Sequence, residues 1–168
     1  GLYVDNMDDG SDSYYGYDET ELESQLAEMT TEIAGYMDDI SDIQTEIGTL
    51  EGDIEDIDTE EYNIGIDLNA LRLKYENGEI TLEEYLEQKA VLDERYDQLE
   101  VQKAQKQAQI AEKQEDIKDI EADINLDEKY VAWLEKALEK AQDGDEGSSM
   151  VLGPNPFVHK VDESGESA

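Results

Sequence analysis

A seven-residue repeat of apolar side chains runs without a break along the first half of the chain. Fifteen of its sixteen positions hold an apolar or aromatic residue, and the exception is Glu61. A repeat of this kind lays one continuous apolar stripe along a helix, and another helix has to cover that stripe. The stripe, which we call the seam, is formed by Leu22, Leu26, Met29, Ile33, Tyr36, Ile40, Ile43, Ile47, Leu50, Ile54, Ile57, Ile64, Leu68, Leu71 and Tyr75.

The repeat stops at a pair of residues that favours a turn. Asn77-Gly78 is a helix stop, because glycine readily adopts the left-handed conformation that ends a helix. Thr81 then precedes Glu84 by three residues, which is the spacing of a capping box at the start of a new helix. A connection this short makes the two helices antiparallel neighbours. We therefore predict an all-α fold, a long antiparallel two-helix coiled-coil hairpin with a helix over 19–76, a turn over 77–80 and a helix over 81–142.

Both ends of the chain lack a helical period. Residues 1–18 are rich in aspartate, glycine, serine and tyrosine, so we predict a flexible acidic arm. Residues 143–168 are predicted to be a tail whose short apolar segment, around 150–152 and Phe157, docks on this protein or on a neighbouring subunit. Asn155-Pro156-Phe157 also matches the tripeptide read by EH domains.

The charge of the chain is extreme and unevenly distributed. The net charge is −35, and residues 1–71 contain 22 acidic residues and no lysine or arginine. Such a chain repels nucleic acids and anionic membrane surfaces, and it favours cationic partners. No run of about 18 apolar residues is present, which predicts no membrane insertion. The absence of cysteine leaves a cytoplasmic location and a virion or extracellular assembly equally open.

Lysines replace apolar residues in the middle of the second helix. Folding the chain about the bend pairs residues whose numbers sum to about 157. This places the lysines beside acidic residues of the first helix, where the stems cover the seam and the ammonium groups set the register. The predicted neighbours are Lys103 with Ile54 and the adjacent Asp53 and Glu55, Lys106 with Glu51, Lys113 with Gln44 and Glu46, and Tyr96 with Glu61.

The residues around the bend follow a recognisable pattern. Spaced leucines are followed by a glycine, an Ile-Thr pair, acidic residues, an aromatic residue, a lysine and a leucine. The matching residues are Leu68, Leu71, Gly78, Ile80, Thr81, Glu84, Tyr85, Lys89 and Leu92. With this pattern residues 67–93, about a sixth of the chain, resemble the short helix-turn-helix module known as SHOCT. The resemblance implies oligomerisation or scaffolding, and it brings no catalytic residues.

The sequence argues against a catalytic site and against a metal site. Its single histidine, His159, has no second histidine or cysteine to complete a zinc site, and no nucleophile and base are paired in a recognisable motif. The segment 5–12 matches a calcium-binding loop poorly, because Met7 and Gly16 would stand at ligand positions. We predict no enzyme, no catalytic residue, no cofactor and no metal site, with weak binding of divalent cations left open.

These features favour a structural or assembly protein that acts through helix–helix self-association, such as a virion component, a scaffold or a secreted filament. In parallel coiled coils, isoleucine at both seam positions shifts the preference toward three or four helices, and on this basis we expect hairpins to form a larger bundle. The predicted interaction residues are Ile33, Ile40, Ile43, Ile47, Leu50, Ile54, Ile57, Ile64 and Phe157. The alternative is an acidic chaperone or inhibitor of a basic protein, whose binding would weaken with added salt.

Overall fold

The computed structural model describes residues 18–143 and 156–157 of the chain. Two helices make up almost all of this part, α1 over Glu19–Glu76 and α2 over Leu82–Asp143. No strand occurs among these residues. The two helices pack against each other, which confirms the prediction of an all-α helical hairpin. The predicted arm lies outside the described residues except for Asp18, and the predicted tail does so except for residues 143 and 156–157.

The chain divides into two compact units. Among the described residues, one unit, the terminal unit, comprises 18–39, 120–143 and 156–157, and the other, the bend unit, comprises Ile40–Asp119. In the terminal unit the start of α1 packs on the end of α2 around Leu22, Met29 and Leu134. In the bend unit the two helices pack around Ile57, Ile64 and Leu99. Each unit therefore has its own apolar core between antiparallel helix segments.

The connection between the helices is built from backbone and capping hydrogen bonds. Gly78 has a φ of +76°, and the Glu79 amide donates to the carbonyl of Lys74 at 2.9 Å. At the start of α2 the Thr81 amide donates to Glu84 Oε1 at 3.1 Å, and the Glu84 amide donates to Thr81 Oγ1 at 3.0 Å. This reciprocal pair satisfies two amides that a helix start leaves without partners. Thr81 thus caps the helix from outside. The helix α2 begins at Leu82 and ends at Asp143, and each end lies one residue later than predicted.

Glycine has opposite roles in α1 and in the connection. A Cβ atom at Gly48 would meet nothing within 4 Å, whereas an alanine at Gly78 would have to keep a positive φ. We expect Gly48→Ala to stabilise the chain by about 1 kcal/mol through helix propensity. Gly78→Ala should destabilise it by about 1 kcal/mol or more, since left-handed backbone is strained with a side chain. Urea unfolding of both variants and of the wild type in one buffer measures the change in the free energy of unfolding for each variant. A destabilised Gly48→Ala would contradict the open surroundings of this position.

Candidate functional site

The seam of α1 is covered unevenly within the bend unit. Ile57, Ile64 and Leu71 are buried, and Leu99 of α2 completes the core beside the first two. The part of the seam between 40 and 54 is only partly buried. Its members are Ile40, Ile43, Ile47, Leu50 and Ile54. Ile33, in the terminal unit, is partly buried as well.

Lysines of α2 lie across part of this stretch of the seam. Lys106 Nζ lies 3.2 Å from Asp53 Oδ2, and Lys113 Nζ lies 3.1 Å from Glu46 Oε1. A lysine that stands on the seam and reaches an acid at the flank lays its flexible stem across the apolar stripe. Such a stem buries less apolar surface than a leucine or an isoleucine would. The isoleucines opposite therefore keep part of their surface in contact with solvent.

One charged layer interrupts the apolar core of the bend unit. Lys103 Nζ lies 2.8 Å from Asp58 Oδ1, 2.8 Å from Glu61 Oε1 and 3.2 Å from Glu100 Oε2. Arg95 Nε lies 2.5 Å from Glu60 Oε2 on the flank of the same stretch of α1. One ammonium group is thus shared by three carboxylates, two from α1 and one from its own helix.

The predicted partners of Lys103 and of Glu61 are corrected by this layer. Lys103 pairs with Asp58 and Glu61 rather than with Asp53 and Glu55. Tyr96, predicted opposite Glu61, is 40% exposed, and Lys103 binds the Glu61 carboxylate in its place.

Two lysines of α2 bind acids closer to the bend than predicted because of the direction in which helical side chains point. Every Cα–Cβ bond tilts toward the start of its own helix. The start of α2 is at the bend, so its lysines reach toward higher residue numbers of α1 than a simple pairing of Cα positions suggests. Lys106 follows the same rule, because it binds Asp53 instead of the predicted Glu51. Lys113 binds Glu46, one of its predicted neighbours.

Glu61 is the buried member of the charged layer. Its side chain is 9% exposed, and Oε2 has no hydrogen-bond partner. The hydrogen bond that a protonated Glu61 can make with Glu100, together with burial, raises the pKa of Glu61, while the Lys103 ammonium acts to lower it. The same hydrogen bond to Glu61 lowers the pKa of Glu100. Hydrogen bonds to Asp58, Glu61 and Glu100 raise the pKa of Lys103, so this lysine stays charged.

The terminal unit has a second cluster that includes Phe157. Its buried members are Leu22, Met29, Tyr130, Leu134 and Ala137. The Phe157 ring stacks on Tyr130 with a centroid distance of 5.0 Å and an interplanar angle of 23°. The Tyr130 hydroxyl donates to Gln25 Oε1, which is buried beside it. An aromatic residue beyond the end of α2 therefore packs on the core that α1 and α2 form in this unit.

The seam pattern did not include all residues of this cluster. Tyr130, Ala137 and Gln25 are buried although none of them is a seam position. The signal that could have found Tyr130 and Ala137 is a second apolar stripe on α2, at helical spacing: Tyr130, Trp133, Leu134, Ala137, Leu138 and Ala141. A stripe at this spacing is typical of a helix face that packs on a core.

An open groove of about 420 Å³ near the bend is lined by Asp67, Ala70, Leu71, Lys74, Gln88, Val91 and Leu92. It pairs one acid and one lysine with apolar side chains, without a recognisable nucleophile and base. In the part of the chain that the structure describes, no group of three or more potential ligands is placed to hold a metal ion. Neither of the two described helices is long and apolar enough to span a membrane.

Comparison with known proteins returned no relative. The scan against protein-family models, the search of curated proteins and the search of solved structures each found no match. The likeness of residues 67–93 to the SHOCT module therefore stays a likeness of pattern, and the functional proposal depends on the residues of this chain.

Proposed function

We propose that this protein is a non-enzymatic structural or assembly protein that self-associates through its helices. The observation that carries the proposal is the partly buried seam stretch of the bend unit, Ile40, Ile43, Ile47, Leu50 and Ile54. The partner we propose is the same stretch of a second copy of this chain. Virion components, scaffolds and secreted filaments are the classes of protein that this activity would suit.

The choice of residues on the seam supports an additional helix. A hairpin that works alone needs one apolar stripe on each helix. Here α1 keeps isoleucine and leucine throughout residues 40–54, while the facing part of α2 has Ile110 and Ile117 together with lysines whose ammonium groups bind flank acids. Isoleucine at both seam positions is typical of bundles with three or four helices. A further helix would remove the remaining isoleucine surface from water, at about 25 cal/mol per Å².

The negative charge of the chain opposes this association and makes its strength depend on salt concentration. Residues 40–119 contain 23 acidic and 8 basic residues, so two bend units repel each other. Added salt screens that repulsion without weakening apolar contacts. Self-association should therefore become stronger as salt is added. Binding of a basic protein, the alternative function, should become weaker under the same change.

Sedimentation equilibrium tests the proposal at several protein concentrations and at low and high NaCl. We expect a mass above that of one chain, increasing with both variables. Replacing Ile43 and Ile47 together with asparagine should return the mass toward one chain. Thr45→Asn is the matched control, because this exposed residue lies between them on the same helix. Circular dichroism of each sample distinguishes lost association from lost helix.

A wild-type chain that stays monomeric at every salt concentration would contradict self-association and favour the acidic binding module. Association that persists in the Ile43/Ile47 variant would show that another surface carries it. A fall in mass that is matched by an equal fall in helix content would assign the loss to unfolding.

A further inference from the structure

The charged layer of the bend unit has more negative groups than its one lysine can pair fully. Asp58 and Glu61 of α1 and Glu100 of α2 all lie around Lys103 Nζ. Glu61 is the buried one, and its Oε2 has no hydrogen-bond partner. A carboxylate oxygen without a donor in a buried position is costly, because nothing replaces the water that it lost. This oxygen needs a proton or a donor.

Glu100 provides the second half of a proton site. The carboxyl groups of Glu61 and Glu100 are close neighbours, because both contact the same ammonium group, Glu61 Oε1 at 2.8 Å and Glu100 Oε2 at 3.2 Å from Lys103 Nζ. When both are ionised they repel each other, and neither can donate. A proton on Glu61 removes the repulsion and creates an O–H donor toward Glu100, while Oε1 continues to accept from Lys103. Two neighbouring carboxyl groups that share one proton are a well-known arrangement for binding it more tightly than either would alone.

We propose that Glu61 is a proton-binding site in the contact between α1 and α2 of the bend unit, and that uptake of this proton tightens the contact. The site lies within one copy of the chain, so it does not depend on the proposed self-association. The other charged groups beside it are Asp58, Lys103 and the Arg95–Glu60 pair. The core residues Ile57, Ile64 and Leu99 are the apolar side chains of the same contact.

The direction of the effect follows from linkage. The pKa of Glu61 is raised above its ordinary value of 4.5 in the folded chain. Its contribution to stability is therefore complete below 4.5 and is lost as the pH rises through the folded pKa. The pKa of Glu100 is lowered, so its contribution is present above the ordinary value and is lost only in stronger acid. Mild acidification from neutral pH should accordingly stabilise this layer.

General acidity of the chain would produce part of the same behaviour, so a site-specific measurement is needed. Protonation of any of the 23 acidic residues between 40 and 119 lowers the overall repulsion. The carboxyl groups of Glu61 and Glu55 can be followed separately by ¹³C NMR as the pH is changed. Glu55 is the matched reference, because it is an exposed glutamate on the same helix. We expect the midpoint of Glu61 to lie above that of Glu55.

The variant Glu61→Gln tests the consequence for stability. Glutamine mimics the protonated side chain, because it can accept from Lys103 and donate to Glu100. At about pH 7.5 its melting temperature should exceed that of the wild type by about 2 °C or more. The difference should vanish near pH 4, where Glu61 itself is protonated. Glu55→Gln should give a smaller difference at neutral pH.

Two results would overturn the proposal. A Glu61 midpoint at or below that of Glu55 would show that the site does not hold a proton. A Glu61→Gln variant that is less stable than the wild type at neutral pH, or whose difference does not change with pH, would show that the proton does not tighten the contact.

Discussion

Leu134→Ala should cost about 2–5 kcal/mol of unfolding free energy, which is among the largest losses that we expect from a single truncation of this chain. Leu134 is 0% exposed and packs with Leu22, Met29 and Tyr130 in the core of the terminal unit. Truncation removes three carbon atoms from this contact. It leaves a cavity that the surrounding side chains can fill only in part. Urea unfolding followed by circular dichroism measures the loss.

The matched control is Leu126→Ala, because Leu126 lies in the same unit on the same helix and is 40% exposed. We expect this change to cost less than about 1 kcal/mol, since most surface substitutions have small effects. Equal losses for the two variants would contradict the core that we describe, because the difference in burial would then carry no energy.

Lys103→Met should destabilise the bend unit and give that loss a strong pH dependence. Methionine keeps the apolar stem, but Asp58, Glu61 and Glu100 would face one another without a cation. The loss should be greatest at neutral pH, and it should shrink in acid as the carboxylates take up protons. The pKa of Glu61 is already raised in the wild type, so the recovery should begin above its ordinary value of 4.5. Thermal unfolding at a series of pH values measures both effects.

Substitutions of two other lysines are the controls for this result. Lys113→Met removes the partner of one exposed carboxylate, Glu46, so a smaller loss is expected. Lys118 is 71% exposed and pairs only along its own helix, so Lys118→Met should change little. If all three variants behaved alike at every pH, the charged layer would have no special role in stability.

Local rules determined most of the fold. The unbroken repeat from Leu22 to Tyr75 defines one apolar side of α1 whatever lies opposite. Gly78, Thr81 and Glu84 end one helix and start the next through hydrogen bonds within a few residues of each other. A short connection between two long helices then leaves antiparallel packing as the available arrangement. Each of these steps depends on residues that are close together in the sequence. For this reason the sequence alone is enough to predict them.

Only the tertiary structure decided which side chains meet. Lys103 joins Asp58 and Glu61 because its stem extends toward the bend, and an ammonium on a flexible stem can bind any carboxylate within several ångströms. Phe157, from beyond the end of α2, stacks on Tyr130 and contributes to its burial. A seven-residue period records which side of a helix is apolar, but it does not record the reach of a side chain or the return of a distant segment. Those depend on distances between residues that are far apart along the chain, and only the folded molecule defines them.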